Sequence, residues 1–221
     1  MDNLKEEEEG KKFGIDLKII LIGNVSTGKT SIIDKYVKNI FNEKCRATIG
    51  PNFSHKIIKK NGVIFRLQFW DIPGQDRSPS LTSIFCRDSQ GVVFCCEVND
   101  QKSLNDILIW KKSLESFKDI NKVPVILLEN KCDLLGDNEE KYNENINETI
   151  KFAEINGIDK VFRTSAKTGY NIENAISFLI DEIFKTLKED DIQIENSLLS
   201  KSPQKLNENA KDKNDKAQKC C

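Results

Sequence analysis

Eight residues near the start of the chain, Gly23-Asn24-Val25-Ser26-Thr27-Gly28-Lys29-Thr30, have the types and spacing of a loop that cradles phosphate. Gly23 and Gly28 let the backbone turn and approach an anion without a Cβ. The N–H groups left unpaired then aim at one point, at the positive end of the following helix. Lys29 adds a cation near the terminal phosphates, and the Thr30 hydroxyl is a hard oxygen suited to Mg²⁺. Val25, Ser26, Thr27 and Ser31 complete the expected contacts. Alone, the motif implies phosphate binding and leaves ATPase, kinase and GTPase chemistry open.

Trp70-Asp71-Ile72-Pro73-Gly74-Gln75 ends a second apolar run with a carboxylate placed like a Walker B aspartate. Asp71 would hold Mg²⁺, directly or through water, and the Gly74 N–H would approach a γ-phosphate. Gln75 carries the donor and acceptor needed to orient an attacking water, so Lys29 and Gln75 are the catalytic candidates. An isolated acid after a strand is more often a helix cap; following a phosphate loop, it gains weight. Asn130-Lys131-Cys132-Asp133 ends another apolar run. A carboxylate at Asp133 accepts from both N1–H and the exocyclic amine of guanine, a donor pair that adenine lacks. In Ser165-Ala166-Lys167 the Ala166 N–H would meet the guanine O6. Together these imply GTP and GDP with Mg²⁺, and an ATPase would leave Asp133 idle.

Strands must carry these loops. Asp16–Ile22, Gly91–Val98 and Val123–Glu129 are compact apolar runs of the kind covered on both faces. Phe53–Lys59 and Val63–Trp70 flank Lys60-Asn61-Gly62, whose Asn-Gly pair signals a hairpin. Lys160–Thr164 is a short strand. Ile32, Ile33, Tyr36, Val37 and Ile40 share a helical face, as do Leu104, Ile107, Leu108 and Leu114. Asn143–Asn156 reads as a helix, and Ile172 to Leu187 keep i, i+3, i+4 spacing throughout. Gly136–Asn147 is polar and Asn- and Glu-rich, and is expected as a solvated surface loop. The alternation predicts an α/β fold, a doubly wound, mostly parallel sheet with one antiparallel edge strand and ligands beyond the carboxyl ends of its strands.

The chain has 221 residues, enough for one ordinary core with tails. Thirty-four basic against 35 acidic residues give a net charge of −1, so no global field favours nucleic acid. Met1 to Lys12 is acidic and unlike a signal peptide, which predicts a cytosolic protein. Seven cysteines lack zinc-site spacing; Cys86, Cys95, Cys96 and Cys132 are expected as small buried or half-buried groups. After Lys188 apolar periodicity stops. The expected organisation is a flexible acidic segment over 1–15, one domain over 16–187 and a disordered tail over 188–221.

With the five nucleotide-contact motifs in order from Asp16 to about Leu187, the chain resembles a Ras-superfamily small GTPase. Arg46-Ala47-Thr48-Ile49-Gly50 looks like the first switch region of the Rab branch. The resemblance implies that Thr48 senses the γ-phosphate and Mg²⁺, and that Phe41 packs against guanine. Phe53, Trp70 and Phe85 match the aromatic triad of the Rab effector surface; ordinary core packing is the alternative for each. Cys220-Cys221 is similar to the family's double geranylgeranylation site, and two lipid chains anchor where one binds only marginally. Six lysines between Lys201 and Lys219 face three acids, so anionic lipid adds little. The family also implies effectors, an exchange factor, a GTPase-activating protein, an escort protein and a dissociation inhibitor. It implies residence on the cytoplasmic face of an intracellular membrane, cycling with the cytosol.

The chain departs from the family pattern in places. Val25 stands where Gly or Ser is usual, and Pro73 replaces Ala before Gly74. Both touch hydrolysis and spare binding, and imply slower GTP turnover. Cys45, Pro51-Asn52 and Asp76 also depart and bear on partner identity. A rival reading is a GTP-locked scaffold with negligible hydrolysis, supported by Val25 and Pro73 and opposed by intact Thr48 and Gln75.

Overall fold

In the computed structural model β1 (Ile15–Ile22) turns Leu17, Ile19 and Leu21 to one face and Ile20 and Ile22 to the other, all fully buried. That is the burial of a strand covered on both sides. The structure describes residues 15–187 apart from 45, 61, 76–83, 116–121 and 137–138, with the backbone alone over 139–145. Around β1 stand β2 (Asn52–Lys60), β3 (Val63–Asp71), β4 (Gly91–Glu97), β5 (Val125–Asn130) and β6 (Lys160–Arg163). The sheet order is β2-β3-β1-β4-β5-β6, and every neighbouring pair is parallel except the β2–β3 hairpin. The expected fold class holds: five parallel strands send their carboxyl ends to one edge, where the motif loops leave the sheet.

Helices cover both faces. On one, α1 (Lys29–Lys38) and α5 (Ile172–Thr186) bury Ile32, Ile33 and Tyr36 and the stripe Ile172, Ala175, Ile176, Leu179, Ile180 and Ile183. Each buried Ile or Leu contributes about 2 kcal/mol of transfer free energy. On the other lie α2 (Gln101–Asn105), α3 (Ile107–Glu115) and α4 (Glu139–Ile155), which bury Leu104, Ile107, Trp110, Leu114 and Ala153. Gly91 has no room for a side chain, since a Cβ would come within 2.8 Å of Ile183. This lets α5 lie close against β4.

Several expectations need correction. The stretch Gly136–Asn147 is not a loop throughout, because α4 begins at Glu139 and continues to Ile155. Its Glu and Lys residues are strong helix formers, so a polar run there is compatible with a helix. Ile40 lies outside α1: Asn39 adopts φ 55 and its N–H returns to the Lys35 carbonyl, ending the helix and leaving Ile40 56% exposed. The helix expected around Leu104 to Leu114 is two, with Asp106 between them. Leu108 is exposed, and Trp110 takes the buried position. Cys86, Cys95 and Cys96 are buried and Cys132 is half-buried, as expected. Burial raises the Cys95 thiol to about 12, which keeps it protonated and unreactive. Cys45, Asp76, the acidic N-terminal segment and the tail with Cys220 and Cys221 lie outside the described residues.

Candidate functional site

The loop after β1 is held on three sides. Lys29, only 6% exposed, donates from Nζ to the carbonyls of Gly23 (2.9 Å) and Asn24 (2.8 Å). Burial lowers its pKa, against the pull of Cys95 and Asp71, so a phosphate would supply the negative charge that this desolvated cation lacks. The Thr27 hydroxyl donates to the Asn24 carbonyl at 2.9 Å. The Asn24 side chain donates to Asp106 at 2.8 Å and accepts from Trp110 Nε1 at 3.2 Å, which pins the loop to the α2–α3 junction. Gly28 adopts φ 91 and Ser26 φ 67, a left-handed conformation costly for Ser and typical of functional turns.

Three oxygens from separate segments meet beside Lys29. Thr30 Oγ1 donates to Asp71 Oδ2 at 2.5 Å, lies 3.0 Å from the Thr48 hydroxyl, and Thr48 reaches the same carboxylate oxygen at 3.3 Å. Asp71 is 3% exposed, and its Oδ1 is buried with no hydrogen-bond partner among the described residues. Desolvation raises the carboxyl's pKa, while Thr30, Lys29 and Thr48 pull it down. A buried carboxylate with one oxygen held by two hydroxyls and the other unpartnered is a hard, oxygen-only set, and these residues fit Mg²⁺. Among the described residues no three His, Cys, Asp or Glu cluster as a metal cage, so the remaining ligands would be phosphate and water.

The far end of the site is built from β5 and β6. Asn130, 1% exposed, donates to the Thr27 carbonyl at 2.9 Å and accepts from Ala166 N at 3.1 Å. It also bars a side chain at Gly28, where a Cβ would come within 2.3 Å of its Nδ2. Ser165 Oγ donates to Asp133 Oδ1 at 2.5 Å, and Lys131 adopts φ 67 and reaches Glu97 at 2.7 Å. A cavity of about 430 Å³ joins the two ends. Val25, Ser26, Gly28, Lys29, Thr30, Ser31, Thr48 and Gly74 line one part of it, and Phe41, Asn130, Lys131, Asp133, Ala166 and Lys167 the other. Gly23, Thr27, Asp71 and Ser165 stand behind this lining, while Gln75 is exposed and outside it. The Ala166 N–H is turned to Asn130 rather than into open space.

The Ras family profile matches residues 18–185. Ras-related protein Rab-32A of Dictyostelium discoideum is 35% identical over 215 residues, 92% of this chain and 95% of that protein. The chain belongs to the Ras family, in its Rab branch. Human Ras-related protein Rab-32 is 34% identical over 170 residues, 75% of this chain and 74% of that one. Mouse Rab-12 is 30% identical over 191 residues, 85% and 76% of the two chains. As a Rab-family small GTPase the protein binds guanine nucleotide, hydrolyses GTP and acts in membrane traffic.

The aromatic residues that the Rab resemblance singled out lie together on the surface. Phe53 stacks on Trp70 at 5.8 Å between centroids, and Trp70 approaches Phe85 at 6.4 Å. Phe53 is 60% exposed, while Trp70 and Phe85 pack on the core. The Lys18 ammonium sits 4.4 Å over the Trp70 ring and donates to the Arg87 carbonyl. Residue-by-residue reading missed Asn24, Asp106 and Trp110, whose hydrogen bonds join segments more than 80 positions apart. It also missed Glu129 and Arg163, which carry no motif.

Proposed function

We propose that this Rab-family GTPase is a membrane-anchored switch: its GTP-loaded form recruits effectors, and hydrolysis resets it. The observation that carries this reading is the meeting of Thr48 with Thr30 and Asp71, since a first-switch residue tied to the phosphate end gives the ligand a lever on the surface. Bound there, Mg²⁺ supplies charge neutralisation for the phosphates. Lys29 would hold the β- and γ-phosphates, Thr30, Thr48 and Asp71 the metal, and the Gly74 N–H the γ-phosphate. Gln75 would orient the attacking water. At the other end Asp133, steadied by Ser165, would read the guanine edge between Phe41 and Lys167. Replacing Thr48 with Ala tests the lever: GDP affinity should hold while preference for a non-hydrolysable GTP analogue drops. Equal loss for both nucleotides would overturn it.

Two departures support slower hydrolysis. Val25 is 38% exposed on the cavity wall, and its backbone N lies beside Gly74, the residue before Gln75. Pro73 is buried and has a fixed φ, which stiffens the entrance to the second switch. A branched side chain at this wall would crowd Gln75 and an activating protein's arginine finger, so activation should fall short of the usual ~10³ to 10⁵-fold. The exposed Phe53 with Trp70 and Phe85 would meet effectors. Two prenyl groups on Cys220 and Cys221 would hold the chain on a cytoplasmic membrane face, with exchange factor, GTPase-activating protein, escort protein and dissociation inhibitor driving the cycle. Fractionating cells that express the Cys220→Ser/Cys221→Ser chain should show it wholly soluble; unchanged membrane content would overturn the anchor.

A further inference from the structure

Glu129 and Arg163 form an ion pair that touches neither the cavity nor the phosphate end. They stand directly opposite each other in the β5–β6 register, with Nε 2.5 Å from Oε2 and side chains 5% and 1% exposed. The other carboxylate oxygen accepts from Thr149 of α4 at 2.8 Å. One residue beyond Glu129 is Asn130, and two beyond Arg163 is Ser165. The next bonds therefore run straight to the far end of the site: Thr164 Oγ1 and Ala166 N to Asn130 Oδ1, and Ser165 Oγ to Asp133.

We propose that Glu129 and Arg163 are a positioning pair for guanine selectivity, locking the β6 loop to the β5 loop so that Ser165 presents the Asp133 carboxylate to the base. This deepens the function proposed above and rests on Asp133 as the base reader. β6 is a four-residue edge strand, paired on one side only, and two backbone bonds carry that pairing into the loops, from Thr164 N–H to the Glu129 carbonyl at 3.0 Å and from Cys132 N–H to the Thr164 carbonyl at 3.1 Å. The buried pair adds a side-chain constraint just before them. Removed from water, two charges tolerate one geometry, and the planar guanidinium fixes direction as well as distance. Apolar side chains of similar volume would keep the two strands together and lose that directional constraint.

The test is the ratio of GDP to IDP dissociation constants for the full chain, read beside its thermal midpoint. IDP lacks the exocyclic amine, so it leaves one Asp133 oxygen without its donor and should bind the parent roughly tenfold or more weakly. Arg163→Met alone strands a buried carboxylate and is expected to unfold. Glu129→Met/Arg163→Met removes both charges and should keep a midpoint near the parent's, while the preference for GDP falls at least about fivefold. Glu129→Gln, which keeps the shape, should give an intermediate ratio and serves if the double variant does not fold. A parent-like ratio in either folded variant would overturn the inference. Asp133→Ala separates the two layers. If it lowers the ratio and the paired variants do not, the positioning role falls and the base reading stands. If it leaves the ratio unchanged, the base reading falls and takes the inference with it.

Discussion

Gly74 lies so close to the phosphate loop that one methyl group should separate the two nucleotide states. A Cβ built on Gly74 would come within 2.3 Å of Val25 N and 2.5 Å of Asn24 C, against about 3.5 Å for an ordinary carbon contact. Both neighbours are backbone, and the Asn24 carbonyl is already held by Lys29 and Thr27. No rotamer relieves the clash, so Gly74→Ala must push the second switch about 1 Å from the loop or distort the Lys29 cage. Overpacking of this kind costs about 1 to 3 kcal/mol, and a backbone clash belongs at the upper end. GDP makes no demand on Gly74, so the GDP form can open and escape most of the cost. The arrangement with Gly74 closed on the loop carries all of it. The preference for a non-hydrolysable GTP analogue over GDP should therefore fall by about 100-fold, from ~3 kcal/mol. Competition titration against a fluorescent GDP analogue measures that ratio, and thermal unfolding of the GDP form should shift by only a few degrees. An unchanged ratio would refute the use of Gly74 in sensing the γ-phosphate. Equal losses for GTP analogue and GDP would show that the clash damages the loop rather than the switch.

Two further predictions follow from the same geometry. Val25→Gly should raise single-turnover GTP hydrolysis by about tenfold, ~1.4 kcal/mol of barrier, and equal rates would remove any role for the branched wall. Burial holds the Asp71 carboxyl above its ordinary 3.8, so in metal-free protein its contribution to stability is present below that value and is lost as pH rises through the raised one. Cation binding needs the charged form and has the opposite sign. The slowing of GDP release by Mg²⁺ should weaken on acidification and be absent in Asp71→Asn, whereas slowing that stays constant as the protein is acidified would contradict the assignment.

Much of this molecule was legible because its signals are local. The apolar runs of β1, β4 and β5 and the stripe of α5 follow from burial on both faces of a sheet and one face of a helix, and each loop motif adjoins the strand that carries it. Where reading failed, the deciding contact was distant or the residue type ambiguous. Glu-rich polarity over 139–147 suits a loop or a solvated helix, and nothing nearby separates them. Asn39 ended α1 by adopting a left-handed turn, a choice only weakly signalled by its type. Trp110 replaced Leu108 on the buried face because Asn24 draws the indole N–H inward. Glu129 and Arg163 are ordinary charged residues until the β5–β6 register sets them opposite each other.

The proposed base reader is one carboxylate, Asp133, at one end of a cavity whose other end would grip phosphate and metal. Asp133→Asn offers an amide N–H where the parent has an acceptor, and xanthine carries a carbonyl where guanine has its amine. Competition titration of the full chain with GDP and XDP should find the parent favouring GDP and Asp133→Asn favouring XDP, a swing of roughly 10²-fold or more from the two exchanged contacts. Continued preference for GDP in the variant, or equal loss of both nucleotides, would contradict the account.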